Sequence, residues 1–156
     1  MRTNAKTWLL LAAAVAVNCG LASAQALKLD ATYIDSGFDG DGISCPPGVT
    51  TTIGPVVDIG CPTGTTCTVQ ADQFLQVGLG STTGNELSAG FYVDGVGVPD
   101  GQIICSTPSD GTYQVCSVSQ SEANVTAGKH TVQIFVNSKY QSYVFNYNTN
   151  FRVYKQ

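Results

Sequence analysis

Charged residues are scarce in this 156-residue sequence: Asp, Glu, Lys and Arg occupy 12% of the positions, about half their usual share. So low a charge excludes a charge-driven disordered chain and a charge-patterned coiled coil. The sequence contains one Trp, one Met, one His and only two Glu. It also lacks long apolar runs, since no stretch reaches the ~18 residues typical of a membrane-spanning helix. We therefore expect no insertion into a membrane.

The single histidine restricts the possible catalytic chemistry. Any Ser-His-Asp or Cys-His machinery would have to use His130, which lies at the start of a predicted strand, in phase with Val132 and Ile134. That position is typical of a histidine at the edge of a core, bonded to a turn, and no Gly-x-Ser-x-Gly motif accompanies it. Eleven acidic residues always allow some carboxylate pair, so their number is little support for a glycosidase. We predict no enzymatic activity and no cofactor; a small secreted hydrolase remains an alternative.

The first 24 residues have the pattern of a secretory signal peptide. Two basic residues precede the apolar run Trp8–Val17, and the small residues Ala22–Ala24 follow it. We predict that residues 1–24 are removed and that residues 25–156 form one mature domain, either secreted, periplasmic or at the cell surface. Lipoprotein processing at Cys19 is a competing interpretation.

The mature chain would be acidic. After cleavage, five basic residues face eleven acidic ones, a formal charge of about −6. Affinity for nucleic acid depends on Lys and Arg that neutralise phosphates, and anionic membrane surfaces attract the same residues. We therefore expect no nucleic-acid partner.

Glycine is abundant, with 17 residues. Apolar and polar residues alternate in several short runs, most clearly from Thr131 to Asn137, and turn-forming residues separate the runs. This pattern predicts eight or nine strands that form an all-β domain, an antiparallel two-sheet sandwich. Between the early strands, Asp35–Gly48 is predicted to be a loop because Gly, Asp and Pro dominate it.

Two short motifs resemble a known family. Phe91–Gly95 ends a strand with Asp-Gly, and Ala127–Val132 reads Ala-Gly-Lys-His-Thr-Val. Together they resemble immunoglobulin-like modules of secreted bacterial proteins, over about residues 69–154. The resemblance implies an immunoglobulin-like sandwich that serves as a spacer, an adhesive unit or an accessory domain beside an enzyme. A jelly-roll sandwich, similar to the trimeric complement-like globular heads, is the second choice.

Five cysteines remain after cleavage, and in an exported chain they are expected to form disulfides. Cys105 and Cys116 flank a polar turn, so two antiparallel strands could bring them together. Cys61 and Cys67 close a short loop, which leaves Cys45 unpaired. An alternative pairs Cys45 with Cys61 or with Cys67, and spacing alone does not decide between them.

A candidate calcium site lies in the Cys-rich N-terminal segment, about residues 35–67. Asp35, Asp39 and Asp41 alternate there with glycines, and hard cations bind several carboxylate and carbonyl oxygens of a flexible loop. The twelve-residue loop pattern is incomplete, because Thr50 stands where an acid is needed. Turn formation by Asp and Gly explains the segment without an ion.

Aromatic residues concentrate near the end of the sequence, where seven of the thirteen Phe and Tyr residues occur in the last 22 positions. Some of these rings must point outward, and exposed tyrosines can stack on sugars or anchor a protein interface. Tyr140, Tyr143 and Tyr147 are the candidate binding residues. Cross-strand pairing within the core is the alternative interpretation.

These inferences together predict a secreted, non-catalytic β-sandwich module that binds a polysaccharide or a surface protein, in the cell envelope or outside the cell. A self-assembling structural subunit is the main alternative, because strands with Thr, Gln and Asn facing outward have edges that can pair with another chain.

Overall fold

The computed structural model describes residues 27–80, 84–98, 102–106 and 113–156. The predicted signal peptide lies outside these ranges. Within them the chain forms β-strands and turns and no helix, so no described segment could cross a membrane as a helix. The strands are β1 (Lys28–Cys45), β2 (Thr50–Cys61), β3 (Cys67–Leu79), β4 (Glu86–Val93), β5 (Val96–Gly97), β6 (Gln102–Ser106), β7 (Tyr113–Val125), β8 (Gly128–Ser138) and β9 (Ser142–Lys155).

The strands form two antiparallel sheets, which confirms the predicted two-sheet sandwich. The four-stranded sheet has the order β1-β9-β3-β7, and the five-stranded sheet has the order β2-β8-β4-β5 with β6 also paired to β4. The pairs are nested along the chain: β1 with β9, β2 with β8, β3 with β7, and β4 with both β5 and β6. Nesting of this kind means that one long hairpin is rolled up on itself, as in a jelly-roll sandwich.

The immunoglobulin-like order, our first choice, is therefore wrong. An immunoglobulin-like module places strands one, two, four and five in one sheet, whereas here the first strand lies beside the last. The two motifs behind the resemblance do meet, because the backbone N–H of Thr131 donates a hydrogen bond to Oδ1 of Asp94 at 2.8 Å. Short motifs determine such a local contact, but they do not determine which distant strands pair.

The first half of the chain contains more strand than the sequence predicted. Asp35–Gly48 was expected to be a loop, yet β1 runs through it to Cys45 and pairs with β9. Pairing continues because a bulge between Phe38 and Ile43 takes up the extra residues. Likewise, the sequence has two separate β-rich runs, Val49–Ile53 and Pro55–Ile59, yet the single strand β2 runs through both. Gly54 between them has a φ of 72°, within an irregularity of the pairing between Ile53 and Val57.

Alternation along each strand fills the space between the sheets. In β3, Leu75 and Val77 are fully buried, whereas Gln76 between them is exposed. Phe91 of the five-stranded sheet meets Phe151 of the four-stranded sheet edge to face, with ring centroids 6.1 Å apart. Truncation of either ring to alanine would cost about 3–5 kcal/mol, because a cavity would remain in the core.

Two disulfides connect the sheets. Cys61–Cys67 joins the end of β2 to the start of β3. Cys105–Cys116 joins β6 to β7, and these strands belong to opposite sheets, because β6 pairs with β4 and β7 with β3. The pairing of Cys105 with Cys116 was predicted, but the structural reason for it differs. The bond connects strands of opposite sheets and not the two strands of one hairpin.

Cys45 is the free cysteine of the described ranges, as predicted. Its side chain is fully buried, and burial raises the pKa of the thiol to about 11. A buried, protonated thiol is unreactive. We therefore expect no disulfide between two copies through Cys45 while the protein is folded.

Candidate functional site

The outer face of the four-stranded sheet exposes large apolar side chains from all four of its strands. These side chains are Ile34 and Phe38 on β1, Phe74 on β3, Tyr113 and Val115 on β7, and Tyr143 on β9. Residues directly opposite one another in a sheet lie on the same face, and the register pairs these positions across the four strands through Gly78, Gln76 and the asparagines of β9. Apolar groups that cluster in this way usually mark an interaction site.

Three rings form a row at one end of this face, which we name the aromatic ledge: Tyr113, Tyr143 and Phe145. The ring centroids of Tyr113 and Phe145 are 5.1 Å apart, and those of Tyr143 and Phe145 are 6.3 Å apart. Tyr113 is 66% exposed and Tyr143 is 39% exposed, while Phe145 between them is half-buried. The ledge therefore exposes a continuous aromatic surface that extends from Tyr113 on β7 to the two rings on β9.

Glycines on the neighbouring strands make room for the central ring. A Cβ atom on Gly78 of β3 would lie 2.9 Å from Cε2 of Phe145, and one on Gly42 of β1 would lie 2.8 Å from its Cε1. Gly42 also has a φ of 80°, in the left-handed region that favours glycine. Because the ring lies across these two strands, it is held in place before a ligand arrives, which lowers the entropic cost of binding.

Uncharged polar groups occupy the middle of the same face. Gln76, Asn146 and Asn148 are exposed, and the register places Gln76 opposite Asn146 and Phe74 opposite Asn148. None of these three amide groups takes part in the hydrogen bonds formed among the described residues. Each amide has two N–H donors and one carbonyl acceptor that remain available to a ligand.

The charged groups at the far end of the face satisfy one another. Nη1 of Arg152 lies 3.0 Å from Oδ2 of Asp72. The other carboxylate oxygen of Asp72 accepts hydrogen bonds from Oγ of Ser119 at 2.6 Å and from Nε2 of Gln70 at 2.9 Å. A shallow cavity of about 360 Å³ lies between this network and Phe74. This end of the face is polar but carries no unpaired charge of its own.

The three tyrosines that the sequence predicted as binding residues differ in how far they are exposed to solvent. Tyr143 belongs to the aromatic ledge. Tyr140 is 37% exposed in the turn between β8 and β9, where its backbone N–H donates to Oδ1 of Asn85 at 3.1 Å. Tyr147 is only 9% exposed, so almost none of its surface could contact a ligand.

Tyr147 instead forms an internal contact with Asp35. The hydroxyl of Tyr147 donates a hydrogen bond to the Asp35 carboxylate, and the ring lies against Gly37 and Gly54. Burial raises the pKa of Asp35, an effect that the hydrogen bonds from Tyr147 and from the backbone of Ser36 oppose. Burial and the neighbouring carboxylate also raise the pKa of Tyr147. The pair joins β1 to β9 at the edge of the core.

The three aspartates of the candidate calcium site do not converge. Oδ1 of Asp39 accepts hydrogen bonds from the backbone N–H groups of Asp41 and Gly42, at 3.0 and 3.2 Å, and thereby stabilises its own turn. Asp35 points instead towards Tyr147. The described part of the chain contains no group of three or more His, Cys, Asp or Glu side chains placed to hold a metal ion. The calcium site stays a prediction, without ligands gathered for it.

His130 has both ring nitrogens occupied. Nδ1 lies 2.7 Å from Oδ2 of Asp94, and Nε2 donates to the backbone carbonyl of Thr126 at 2.8 Å. The Asp94 carboxylate raises the pKa of His130, and His130 lowers the pKa of Asp94. A carbonyl and a carboxylate both accept, so these contacts favour the doubly protonated, positively charged imidazole. In this state neither nitrogen is available as a general base.

A cavity of about 420 Å³ lies beside His130, between β5 and the end of β7. Valines form much of its wall: Val93, Val96, Val98 and Val125. Glu122 contributes a carboxyl group, while the carboxylate of Asp94 is already bonded to His130 and Thr131. The cavity therefore has mainly apolar walls, and its two bonded polar side chains, Asp94 and His130, are occupied by each other, which makes it a weaker candidate than the outer face.

Sequence reasoning missed Tyr113 and Phe145 as binding residues. The useful signal is a pair of glycines, Gly42 and Gly78, on the two strands that flank Phe145. That signal becomes visible only once the pairing of β1, β9 and β3 is known, because the three residues are far apart along the chain.

Comparison with known proteins adds little beyond these observations. The sequence matches no family model, and no curated protein matches it. Among solved structures, the chain is similar to infectious bursal disease virus, Gx strain, with a TM-score of 0.47 and 13% identity over 82% of this chain and 38% of the other. It is also similar to dimeric latent PorU from Porphyromonas gingivalis, with a TM-score of 0.41 and 11% identity over 84% of this chain and 13% of the other. The chain thus spans well under half of either protein, and these similarities carry no information about its function.

Proposed function

We propose that the protein is a non-catalytic binding module that works outside the cytosol and holds an extended partner on the outer face of its four-stranded sheet. The observation that carries this proposal is the aromatic ledge, in which a ring supported by glycines lies between two exposed tyrosines. Exposed, pre-positioned rings provide contact area at low entropic cost, and tyrosine is enriched at binding hot spots.

The cysteine chemistry supports a location outside the cytosol. Disulfides persist in oxidising compartments, and the two disulfides here connect the sheets of a small domain. Together with the signal-peptide pattern, they favour a secreted, periplasmic or cell-surface protein. We keep the adhesive or accessory role as part of this proposal, although the strand order is that of a jelly roll and not of an immunoglobulin-like module.

The proposal is tested on an array of purified polysaccharides, mucin and extracellular-matrix proteins, with the protein that begins at residue 25. We expect binding that the double variant Tyr113→Ser/Tyr143→Ser loses. The matched control is Tyr92→Ser, because Tyr92 stacks on Phe135 on the outer face of the other sheet, with ring centroids 4.6 Å apart. Equal binding by all three proteins would contradict the proposal, and chemical turnover of any array component would show an enzyme instead.

Self-assembly is the second candidate, and the two edges of the four-stranded sheet favour it. Three successive antiparallel pairings separate β1 from β7, so these edge strands run in opposite directions. Two copies related by translation could therefore pair β7 with β1 of the next copy as antiparallel strands, a contact that repeats without closing. β7 is a long edge strand with one charged residue, Glu122, and no proline, so it lacks the usual protection against such pairing.

Light scattering after size-exclusion chromatography distinguishes the two candidates. Edge pairing predicts an average mass that rises steadily with protein concentration and falls when a proline is placed in the middle of β7. A monomer at every concentration would rule out self-assembly.

A further inference from the structure

We infer that the partner on the outer face of the four-stranded sheet is an uncharged polysaccharide chain. This inference rests on the proposed function and adds the chemical class of the ligand. It follows from four properties of the face: its rings, its amides, its charge balance and its shape.

The rings suit the C–H faces of sugars. Aromatic rings carry partial negative charge on their faces, which attracts the weakly positive C–H groups of a pyranose ring. The planes of Tyr143 and Phe145 differ by 35°, and those of Tyr113 and Phe145 differ by 60°. Successive rings of the ledge thus face different directions, as the successive units of a twisted sugar chain do.

The amides suit hydroxyl groups. Each sugar hydroxyl donates one hydrogen bond and accepts others, and the side chains of Gln76, Asn146 and Asn148 offer both donors and acceptors next to the ledge. A flat apolar protein surface would cover these three amides without bonding them, and each buried polar group left unsatisfied weakens binding. A polysaccharide chain can satisfy them, and for this reason we favour it over a protein partner.

The charges of the face disfavour an anionic chain. Arg152 is paired with Asp72 at 3.0 Å, and Lys155 at the same end of the sheet is paired with Asp30 at 3.0 Å. An anionic polysaccharide would find no unpaired cation among these residues, and the acidic excess of the whole chain would repel it. Asp39 and Asp41, exposed on β1, form no ion pair among the described residues, so the charges leave a cationic chain open and the chitosan probe tests it directly.

The shape of the face favours a chain over a single terminal sugar. From Asp72 to Gly78 the outer face extends along β3 for about 20 Å, at a rise of ~3.3 Å per residue. The cavity on this face is shallow, and the rings stand beside it in the open. A terminal sugar would need a pocket that encloses most of its surface, whereas an extended chain can bind along an open face.

The test measures binding of the protein from residue 25 onward to defined polysaccharides by affinity electrophoresis and calorimetry. The neutral probes are laminarin, xyloglucan, galactomannan and amylose; the charged probes are alginate, polygalacturonate and chitosan. The variants are Tyr113→Ala, Tyr143→Ala and Gln76→Ala, with Tyr92→Ala as the control on the opposite face. Tyr113→Phe keeps the ring and serves as the conservative variant.

We expect at least one neutral probe to bind, with Kd raised about tenfold by Tyr113→Ala or Tyr143→Ala and nearly unchanged by Tyr113→Phe and Tyr92→Ala. Thermal unfolding of each variant verifies that it is folded, and Tyr113 and Tyr143 are exposed enough for their replacement to leave the core intact.

Two results would overturn the inference, and they differ in what they leave standing. If the protein binds only charged polysaccharides, or only proteins of the array described above, and the tyrosine variants abolish that binding, the ligand class is wrong while the binding face is right. If a neutral probe binds with equal affinity to every variant, the protein binds it elsewhere and the proposed face is wrong. If nothing on either panel binds, both the ligand class and the proposed face are wrong.

Discussion

Asp94 and His130 connect two distant parts of the chain through an ion pair of 2.7 Å. Asp94 lies in the turn between β4 and β5 and has a φ of 51°, an uncommon conformation for a residue other than glycine. His130 lies near the start of β8 and is also bonded to the carbonyl of Thr126. The ion pair therefore fixes the β4–β5 turn against β8 at one end of the sandwich.

This ion pair predicts a pH window for stability. The pKa of His130 is raised above its usual 6.5, so its contribution is complete below about pH 6.5 and is lost as the pH rises through the folded-state value. The pKa of Asp94 is lowered from 3.8, so its contribution is present above about pH 3.8 and is lost as the pH falls further. Wild type should exceed His130→Gln in stability by about 1 kcal/mol between these limits and by less at pH 9, as measured by urea unfolding.

Asp94→Asn tests the same pair from the other side. When Asp94→Asn is already present, the further change His130→Gln should alter the free energy of unfolding by nearly the same amount at pH 5 and pH 9, because the two side chains act together. If the difference between wild type and His130→Gln were the same at pH 5 and pH 9, the ion pair would not be the cause.

Tyr147 and Tyr143 should respond oppositely to truncation, although only four positions separate them. Tyr147→Ala should lower the free energy of unfolding by about 3–5 kcal/mol, because it opens a cavity and leaves the buried Asp35 without its hydrogen bond. Tyr143→Ala should change it by no more than about 1 kcal/mol, since the side chain is partly exposed. Urea unfolding of both variants measures this difference, and similar losses for the two would mean that our assignment to core and surface is wrong.

The same pair of tyrosines illustrates what the sequence could and could not predict. Alternation predicted that residues around Tyr143 and Tyr147 form a strand, and this is correct. It could not assign their faces, because the pairing of β9 with β3 shifts between Gln76 and Val77 and so changes the phase of the alternation along β9. A bulge depends on the partner strand, which a single sequence does not identify.

The disulfides show the same limit in another form. Spacing favoured the pairing of Cys105 with Cys116, but a hairpin was the assumed reason, whereas the bond connects opposite sheets. The strand order depends on contacts such as β1 with β9, which join the first and last strands. Local propensity contains no information about such contacts, so it could not distinguish a jelly roll from an immunoglobulin-like sandwich.

Removal of the Cys105–Cys116 disulfide should cost more than removal of the Cys61–Cys67 disulfide, which closes a shorter loop. Cys105 and Cys116 are separated by 11 residues and Cys61 and Cys67 by 6. Loop entropy predicts losses of about 3 and about 2 kcal/mol for the paired alanine variants. Chemical denaturation of Cys105→Ala/Cys116→Ala and Cys61→Ala/Cys67→Ala compares them. A larger loss for the second pair would show that strain or packing, rather than loop length, determines the contribution.

Gly78→Ala should disturb the aromatic ledge without unfolding the protein. The added Cβ would lie 2.9 Å from Cε2 of Phe145, so the ring must move, and because it is half-buried it can move outward at a cost of about 1–2 kcal/mol. Gly60→Ala is the matched control, since Gly60 also lies in a strand and a Cβ there would meet nothing within 4 Å. NMR spectra of the aromatic side chains should show shifted Phe145 and Tyr113 signals for Gly78→Ala alone. Unchanged ring signals in Gly78→Ala would mean that Gly78 does not support the ring, and the ledge would lose its structural basis.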